Sequence, residues 1–343
     1  MKQVIVEAFG GIEQLQLRES PDPEPGPGQV RVKLISVGLN HADLMARAGQ
    51  YKIASGPVPF TPGVEGGGLI DAVGQGVSEV RLGQRVTLTP DAPRNAAGGL
   101  GGTYRQLYLC ASEQALRVPD AIDDDQLGAL WLAYLTAYGC LVWQQNLQPG
   151  QVVALPAASS SVALAAAQIV KHHGGVAIGL TTSPDKVEAI HALDAAVYDH
   201  LVVTHDADRN MLPWHKDLRP IAPKGVDVFF DSVAAGAYLN TEIKCLAQGG
   251  CVWVYGLLGA TDAVDVTPLI RKQAAIRGWG LSQIVGAGRE AWLPACQHIL
   301  DGFEQGHYQQ HVDSTYPLSE VQRAHEAMHQ GQHLGKMVLL PHG

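Results

Sequence analysis

The stretch ALPAASSSVALAAAQIV, residues 154–170, has the pattern of a buried β-strand followed by a tight turn and an α-helix. An apolar run leads into three consecutive serines, after which alanine and leucine recur at helical spacing. Such a unit cradles a dinucleotide when glycines form the turn, because glycine permits the tight bend, a close approach of the backbone to pyrophosphate and close helix–strand contact. Without those glycines, two alternatives stand: a dinucleotide turn built from serines, or an ordinary strand–helix joint with a serine N-cap.

Serines keep part of what a phosphate-binding turn requires. Their side chains are small and add hydroxyl groups, while the backbone N–H groups at the helix N-terminus can still face an anion. We therefore predict that four consecutive residues of this turn bind a dinucleotide cofactor: Ser159, Ser160, Ser161 and Val162.

The end of the next predicted strand bears on the choice of cofactor. About twenty residues downstream of the turn, a site that prefers NAD places an acidic residue for the ribose hydroxyls. The segment AIGLTTSPDK, residues 177–186, has instead Thr181, Thr182 and Ser183, followed by Lys186. Neutral hydroxyls and a lysine suit a 2′-phosphate, so we predict NADPH as the cofactor. Alternatively, Ser183 starts the next helix together with the proline after it, and the two roles are compatible because a helix start exposes N–H donors.

Composition limits the class of protein. With 343 residues, 46% of them hydrophobic, the chain is long enough to form two domains. A net charge of −9, without any run of Lys or Arg, argues against nucleic acid or an anionic membrane as a partner. The five cysteines are odd in number and include no C-x-x-C pair, so the cytoplasm is the expected location. No signal peptide or membrane span is recognisable, which predicts a soluble protein.

The rhythm of predicted elements changes along the chain. Up to about residue 120, short strand-like runs alternate with Gly- and Pro-rich turns and predict a barrel-like β domain; the runs include 30–37, 68–73 and 85–88. From about residue 125, strands mostly alternate with helices and predict a parallel sheet covered on both faces; its strands are 151–155, 175–180, 196–203, 226–230 and 250–255. From about residue 310, strand-like runs return around one helix. The predicted fold class is α/β.

Six segments carry a family resemblance. They are VGLNHADLMARAGQY (37–51), PGVEGGGLIDAVGQGVSEVRLGQRV (62–86), LTAYGCL (135–141), GVDVFFDSV (225–233), GGCVWVYGLLG (249–259) and AHEAMHQGQHLGKMVLL (324–340). In this order they resemble the medium-chain dehydrogenase/reductase superfamily, specifically its zinc-free quinone oxidoreductase branch. The resemblance implies a GroES-like β domain over 1–123, completed by 310–343, and a Rossmann doubly wound parallel-sheet domain over 124–309, with the substrate in the cleft between them.

The same resemblance assigns site residues. It implies that Asn40 and Tyr51 lie on the substrate side of the nicotinamide and Thr136 near its carboxamide, as catalytic residues. The further residues that it implies for cofactor binding are Ser232, Val233, Tyr255, Gly256, Leu257, Leu258, Gly335 and Lys336. Three assignments have structural alternatives: Asn40 as an amide that bonds its own loop, Tyr51 as a turn aromatic packed over the β domain, and Tyr255 as a packing residue.

The resemblance also predicts that the protein binds no zinc. Zinc-dependent relatives carry a Cys where this chain has Asn40 and a His where it has Val64, and no third ligand follows until Cys140. The segment expected to hold a structural zinc supplies only Cys110. Both sets fall short of the four ligands of a structural site and the three of a catalytic one.

One motif points to a different chemistry. HEAMH, residues 325–329, matches the H-E-x-x-H motif of zinc metalloproteases, but no third ligand follows at a recognised spacing. We interpret it instead as part of an amphipathic helix. Ser319, with Gln322 three residues later, is predicted to cap that helix. Its predicted buried stripe consists of Val321, Ala324 and Met328.

Without zinc, the implied chemistry is hydride transfer from NADPH to a conjugated small molecule, either a quinone or an α,β-unsaturated carbonyl compound. Two alternatives remain. The serine turn favours a relative that binds NADPH or a partner protein without useful turnover. An enoyl-thioester reductase needs a basic groove, to which the scattered Arg94, Arg105 and Arg289 give little support. We also predict a homodimer. The resemblance implies that the segment AAIRGWGLSQ, residues 274–283, pairs with its copy in a second subunit, and an unpaired apolar edge there would favour association.

Overall fold

The computed structural model describes residues 1–93 and 101–343, so Arg94 lies outside the described residues. The chain divides into two compact units. Unit 1 comprises Met1–Leu132 and Cys296–Gly343, and unit 2 comprises Ala133–Ala295. The domain boundaries predicted from the sequence, 123/124 and 309/310, differ from these limits and remain a prediction. The architecture is α/β, as predicted.

Unit 1 is mainly a β structure. Its strands are β1 (Lys2–Val6), β2 (Leu15–Glu19), β3 (Gln29–Leu39), β4 (Gly67–Val73), β5 (Arg85–Leu88), β6 (Leu107–Ala111), β7 (Ala115–Arg117), β14 (Val312–Pro317) and β15 (Lys336–Leu340). Its helices are α1 (His41–Arg47), α2 (Lys52–Ser55) and α11 (Val321–Gln330), and 3-10 turns lie at Ile12–Gln14, Ser112–Gln114 and Leu318–Glu320. β1 and β2 form a separate pair, whereas the other strands form one sheet in the order β14-β15-β3-β4-β5-β7, with β6 paired to β3.

The long strand β3 organises unit 1. Its first half alternates, with every second side chain fully buried in the core, as expected of a strand with one wet face: Val30, Val32 and Leu34. The C-terminal strand β15 runs antiparallel to the end of β3 and places Met337 opposite Leu39. This pairing brings Lys336, the first residue of β15, to the end of β3, where Asn40 follows.

Unit 2 contains the parallel sheet. Its strands are β8 (Val152–Pro156), β9 (Val176–Thr181), β10 (His200–Val203), β11 (Val226–Asp231), β12 (Leu246–Val254) and β13 (Ala275–Gly278). Its helices are α3 (Thr136–Tyr138) between the π-helical segments Trp131–Leu135 and Gly139–Gln144, α4 (Ser161–His172), α5 (Pro184–Leu193), α6 (His215–Ile221), α7 (Gly236–Cys245), α8 (Thr267–Lys272), α9 (Ser282–Gly286) and α10 (Arg289–Glu304). The first π-helical segment and α10 cross the unit boundary.

The strand order of unit 2 locates a binding crevice. The order is β10-β9-β8-β11-β12-β13, and every neighbouring pair is parallel. The chain moves outward from β8 to β10, then returns to the other side of β8 with β11. In doubly wound sheets, ligands bind at the carboxyl ends of the strands where the order reverses in this way. The carboxyl ends of β8 and β11 therefore form the expected binding crevice.

Helix α4 follows β8 as the sequence predicted. Its alanines favour a helix because they lose no side-chain entropy. They also let the helix approach the sheet closely, and the most buried of them are Ala163, Ala165, Ala166 and Ala167. No helix of the described residues is both long enough and apolar enough to cross a membrane.

Two local predictions are wrong. Ser319 does not cap α11, because it lies inside the 3-10 turn Leu318–Glu320 and the helix begins only at Val321, without a capping side-chain bond. The predicted strand 196–203 begins only at His200, because the Asp194 carboxylate accepts from the N–H of Ala196 and holds a turn there. The predicted buried stripe of α11 is confirmed for Val321, Ala324 and Met328.

The cysteines are all free thiols. Four of them are buried, and Cys245 is half-buried. Burial raises the pKa of the Cys110 thiol to about 12 and the pKa values of Cys245 and Cys251 to about 11. Such thiols are protonated near neutral pH, and a protonated thiol is a poor nucleophile.

Candidate functional site

Unit 1 contains a buried cluster of Asn40, Glu65 and Lys336, which we call the amide cluster. The Lys336 ammonium donates to Asn40 Oδ1 and to Glu65 Oε1, both at 2.5 Å. The Asn40 Nδ2 donates to Glu65 Oε1 at 2.9 Å and to the carbonyl of Gly38 at 3.1 Å. Asn40 is 5% exposed, Glu65 2% and Lys336 1%, so solvent does not screen the ion pair.

Backbone elements fix this cluster from two further directions. Glu65 Oε2 accepts from the N–H of Leu132 at 3.0 Å, so both carboxylate oxygens are bonded. A Cβ at Gly38 would lie 2.4 Å from Glu65 Oε1 and 2.8 Å from Lys336 Cε. A glycine is therefore required in β3 for the ion pair to approach the strand.

A second buried chain of polar groups leads to Asn40 from Arg47. Arg47 Nη1 lies 3.2 Å from His325 Nδ1, and His325 Nε2 lies 3.2 Å from the Tyr104 hydroxyl. A guanidinium only donates, so Nδ1 accepts, and a neutral His325 must carry its proton on Nε2 and donate it to Tyr104. The Tyr104 hydroxyl is then free to donate to Asp43. Asp43 Oδ2 also accepts from the backbone N–H of Asn40 at 3.0 Å.

Burial controls the protonation of this chain. It lowers the pKa of His325 to about 3, with the Arg47 charge acting in the same direction. It raises the pKa of Asp43 to about 7, against the opposing influence of the Asn40 N–H and the Lys336 charge. His325 is therefore neutral at ordinary pH, which agrees with its assigned hydrogen bonds.

These donor sets do not suit zinc. Zinc is held by thiolates, imidazoles and carboxylates, whereas Asn40 Oδ1 and Glu65 Oε1 both bind an ammonium, itself a cation. His325, the first histidine of the H-E-x-x-H motif, is fully buried and engaged with Arg47 and Tyr104. Over residues 1–93 and 101–343, no three His, Cys, Asp or Glu side chains are placed to hold a metal ion together.

In unit 2, the turn between β8 and α4 is built as a capped helix start. Ser160 is the N-cap, and its side chain accepts from the N–H of Ala163 at 3.2 Å. Ala157, which opens the turn, has a positive φ of 53°, a conformation that glycine adopts more easily. Ser159 is buried, whereas Ser161 and Val162 are half-buried. The serine turn therefore keeps the free N–H groups of a helix N-terminus at the carboxyl end of β8.

Hydroxyl groups gather at the same edge of the sheet. We call three residues the hydroxyl cluster: Ser160 after β8, Ser232 after β11 and Tyr255 after β12. Burial raises the pKa of Tyr255, and the hydroxyls of Ser232 and Ser160 oppose that rise. The Tyr255 ring stacks on Phe230 with centroids 4.0 Å apart. Within the described part of the chain, Ser232 Oγ and the Tyr255 hydroxyl are buried without a hydrogen-bond partner. Such orphaned groups are uncommon in native proteins and suit a polar ligand.

The loop that carries Ser232 is held by Asp231. Its carboxylate accepts from the N–H groups of Val233 at 2.6 Å and Ala234 at 2.9 Å. Glu242, fully buried beside Asp231, has a pKa raised well above its usual range, first by burial and then by the Asp231 charge. Burial also raises the pKa of Asp231, so both carboxyl groups hold negative charge less readily than exposed ones. A Cβ at Gly256 would lie 2.9 Å from Ser232 O, so the next strand end also needs a glycine.

The turn after β9 brings two cations together. Ser183 caps α5 as predicted, accepting from the N–H of Lys186 at 3.4 Å. Burial lowers the pKa of Lys186, and the nearby Arg209 lowers it further. Thr181 is buried and Thr182 is exposed. We call Lys186 and Arg209 the basic pair; sequence reasoning missed Arg209 because it lies on a separate loop.

The remaining predicted site residues have varied surroundings. Tyr51 is half-buried against the core of unit 1. In unit 2, Thr136 is 7% exposed, and its carbonyl accepts from the Trp279 indole at 3.0 Å. Leu257 and Leu258 are exposed. Gly335 has a φ of 97°, and a Cβ there would lie 2.6 Å from His311 O.

The structure brings several of the predicted residues together. Asn40 and Lys336 meet in unit 1, although the predicted partner of Lys336 was the cofactor and the observed partners are Asn40 and Glu65. Ser160, Ser232 and Tyr255 meet in unit 2. The roles assigned to all these residues stay predictions. Sequence reasoning missed Glu65, although a glutamate followed by three glycines just before a buried strand is a signal that could have drawn attention to it.

Known proteins resemble the chain over nearly its whole length. The alcohol dehydrogenase GroES-like domain model matches residues 26–120, and the zinc-binding dehydrogenase model matches residues 198–339. The human synaptic vesicle membrane protein VAT-1 homolog is 30% identical over 360 aligned positions, covering 99% of this chain and 86% of that protein. The Lama guanicoe quinone oxidoreductase is 30% identical over 342 positions, covering 99% of this chain and 97% of that protein. The crystal structure of Escherichia coli quinone oxidoreductase complexed with NADPH is 25% identical with a TM-score of 0.81, covering 99% of this chain and 100% of that one.

Proposed function

Because the chain belongs to the medium-chain dehydrogenase/reductase superfamily, in its quinone oxidoreductase-like branch, we propose that it is an NADPH-dependent, zinc-independent oxidoreductase. Its proposed substrates are quinones or α,β-unsaturated carbonyl compounds. Catalytic roles are proposed for Asn40, Tyr51 and Thr136, and cofactor contacts for the serine turn, the hydroxyl cluster and the basic pair.

The observation that carries this proposal is the hydroxyl cluster. Ser232 Oγ and the Tyr255 hydroxyl are buried orphans at the strand ends of unit 2, next to the N-terminus of α4. A dinucleotide offers both a phosphate for the helix N–H groups and hydroxyl or amide groups for the orphans. The observed groups therefore fit NADPH, and the solved Escherichia coli relative is an NADPH complex.

The basic pair supports NADPH over NADH. Thr181, Thr182 and Ser183 give the turn after β9 neutral hydroxyls, and Lys186 and Arg209 add positive charge. A 2′-phosphate gains charge-assisted hydrogen bonds in such a setting.

The amide cluster supports the proposed zinc independence. The ammonium of Lys336 takes up the oxygen donors of Asn40 and Glu65, which leaves no set of ligands suited to a Lewis acid there. Bound NADPH supplies a hydride, which suits a conjugated acceptor whose oxygen becomes an enolate or phenolate. The chain's own part is to orient the acceptor, exclude water and stabilise that oxygen with neutral donors.

Binding and turnover test the proposal in sequence. NADPH is titrated by its fluorescence, and its oxidation is then followed with a panel of quinones and enones. Ser232→Ala should weaken NADPH by about 0.5–1.5 kcal/mol, the usual worth of one hydrogen bond. Thr241→Ala is the matched control, because that hydroxyl already donates to Ala237 O. The proposal fails if wild-type protein binds no NADPH at millimolar concentration, and zinc independence fails if elemental analysis gives one tightly held zinc per chain.

A second candidate is an NADPH- or partner-binding protein without useful turnover. The observation that favours it is the serine turn, because Ser160 Oγ is already committed to Ala163 and side chains fill a turn where glycine leaves room. NADPH binding without oxidation by any acceptor in the panel would support this candidate.

We also propose a homodimer and a cytoplasmic location. β13 is an outer strand of its sheet, and an unpaired edge favours association with a second copy. Five free thiols fit a reducing compartment.

A further inference from the structure

The hydrogen bonds of Asn40 leave its carboxamide no freedom. Its Nδ2 has two hydrogens, and these have two acceptors inside the chain, Glu65 Oε1 and Gly38 O. Its Oδ1 accepts from Lys336. The arrangement has a single solution, because rotating the amide by 180° would point its NH2 group at an ammonium and its oxygen at a carboxylate. The ion pair therefore dictates which end of the amide faces which way.

The main chain of Asn40 is fixed as well. Its N–H donates to Asp43 Oδ2, and Asp43 is the end of the chain of donors that begins at Arg47. The side chain and the backbone of one residue thus have separate buried supports. An asparagine whose side chain only bonded its own loop would not need a buried ion pair to hold its carboxamide.

We propose that Lys336 and Glu65 are positioning residues that orient the Asn40 carboxamide for turnover, and that Lys336 is not a cofactor ligand. The proposal rests on the proposed oxidoreductase function for its kinetic consequence, but its structural consequence is independent of any activity. Because both amide hydrogens are already bonded inside the chain, Asn40 presents a fixed polar surface and does not donate a proton to the substrate.

Two charges must be removed together to test the pair. Lys336→Met alone would leave a buried carboxylate without its cation, which is strongly destabilising. The variant K336M/E65Q removes both charges and keeps the approximate volumes. The matched control is R31M/D71N, which removes an ion pair of unit 1 outside the amide cluster, between Arg31 Nε and Asp71 Oδ1 at 2.9 Å.

The first measurement reads the amide directly. The chain has five asparagines, at positions 40, 95, 146, 210 and 240, so selective ¹⁵N-asparagine labelling gives few side-chain NH2 signals. The pair of NH2 signals that disappears in Asn40→Ala belongs to Asn40. In wild type and in R31M/D71N the Asn40 pair should exchange slowly with solvent. In K336M/E65Q its exchange should accelerate by about tenfold or more, because the amide loses its hydrogen bonds to two charged groups. Unchanged exchange in K336M/E65Q overturns the proposal, whether or not the protein has any activity.

The second measurement separates positioning from cofactor binding. In K336M/E65Q the dissociation constant of NADPH should stay within about twofold of wild type while kcat falls by about tenfold or more. Asn40→Ala leaves the ion pair in place and should lower kcat to a similar extent, and combining it with K336M/E65Q should add little.

Weaker NADPH binding in K336M/E65Q, together with an unchanged Asn40 signal, would identify Lys336 as a cofactor ligand and overturn the proposal. If K336M/E65Q does not fold, a kcat of Asn40→Ala equal to that of wild type also overturns the proposal. If wild type neither binds NADPH nor turns over, the oxidoreductase function fails, and the exchange measurement still decides the role of the pair.

Discussion

Lys186 and Arg209 place two positive charges beside the end of β9. Each raises the electrostatic cost of the other, which is part of the reason that the pKa of Lys186 is lowered. A dianionic phosphate between them would remove that cost. Charge at single positions is therefore expected to decide which dinucleotide is preferred.

Replacing either cation should discriminate between the two cofactors. Lys186→Ala and Arg209→Ala should each weaken NADPH by about 1.5–3 kcal/mol, the range for hydrogen bonds to charged groups, and leave NADH nearly unchanged. Fluorescence titration with both nucleotides measures this. Lys224→Ala, an exposed lysine of the same unit, is the control. Equal losses for both nucleotides would mean that the cations serve the local fold and not the phosphate.

Asp43 should make stability depend on pH. Its pKa in the folded chain is about 7 and about 3.9 when unfolded, so the folded state holds the proton more tightly. The stabilisation is complete below about pH 4 and is lost as the pH rises toward 7, by on the order of 4 kcal/mol. Denaturant unfolding of wild type and Asp43→Asn across this range measures the difference. A variant with the same slope as wild type would show that Asp43 is ionised throughout.

Residues linked across long stretches of sequence explain what the sequence could not predict. Asn40 was singled out by its motif, but its partner Lys336 lies on the last strand, and only the pairing of β15 with β3 brings the two together. No periodicity or spacing carries that contact. Ser183, by contrast, was predicted as a cap because its partner, the N–H of Lys186, is three residues away.

Helix α4 shows how an element keeps its start without glycine. Ser160 supplies the cap that a serine can supply and a glycine cannot, and the alanines behind it supply the close packing on the sheet. The strand, turn and helix were all predicted from one stretch, because each depends on local pattern. The start of α11 was not, because a 3-10 turn took up the residues that the capping pattern had assigned to the helix.

Removing the α4 cap should cost stability at that element. Ser160→Ala should lower the free energy of unfolding by about 0.5–2 kcal/mol, since the N–H of Ala163 loses its acceptor. Ser161→Ala, one residue into the helix, should change the free energy of unfolding by only about a few tenths of a kcal/mol. Urea unfolding of both variants provides the measurement. Equal effects at the two positions would show that Ser160 is not the effective cap.

At the scale of the whole molecule, β13 is the element that faces a second copy in the proposed dimer. The N–H of Trp279 donates to Val254 O on β12, so by alternation the N–H of Gly278 points away from the sheet. A Cβ at Gly278 would meet nothing within 4 Å. The outer edge of β13 therefore has a donor that another strand can use.

Proline at this position should separate the subunits. Gly278→Pro removes the outward N–H and leaves the bond from Trp279 to β12 in place, so light scattering should show a dimer of the 36.5 kDa chain for wild type and a monomer for the variant. Ile270→Ser, which changes an 82% exposed apolar residue of α8 without touching the strand, is the control. A wild-type monomer at all concentrations would contradict the dimer.

The overall architecture was predictable because many segments agreed in order, and because the change from β rhythm to βαβ rhythm is visible in the sequence. The limits of the two compact units have no comparable signal in the sequence, since helix α10 and the segment Trp131–Leu135 are continuous elements that contain those limits. Composition changes gradually there, so no pattern marks the point.

The buried thiols allow the opening of each unit to be measured by chemical labelling. Cys110 and Cys296 belong to unit 1, whereas Cys140, Cys245 and Cys251 belong to unit 2. While the fold is intact, burial makes the reaction of the four buried thiols with an alkylating reagent slow, and each opening event exposes thiols whose labelling is permanent. A timed pulse of reagent followed by peptide mass analysis would therefore give separate opening rates for the two units from one sample, without any added probe.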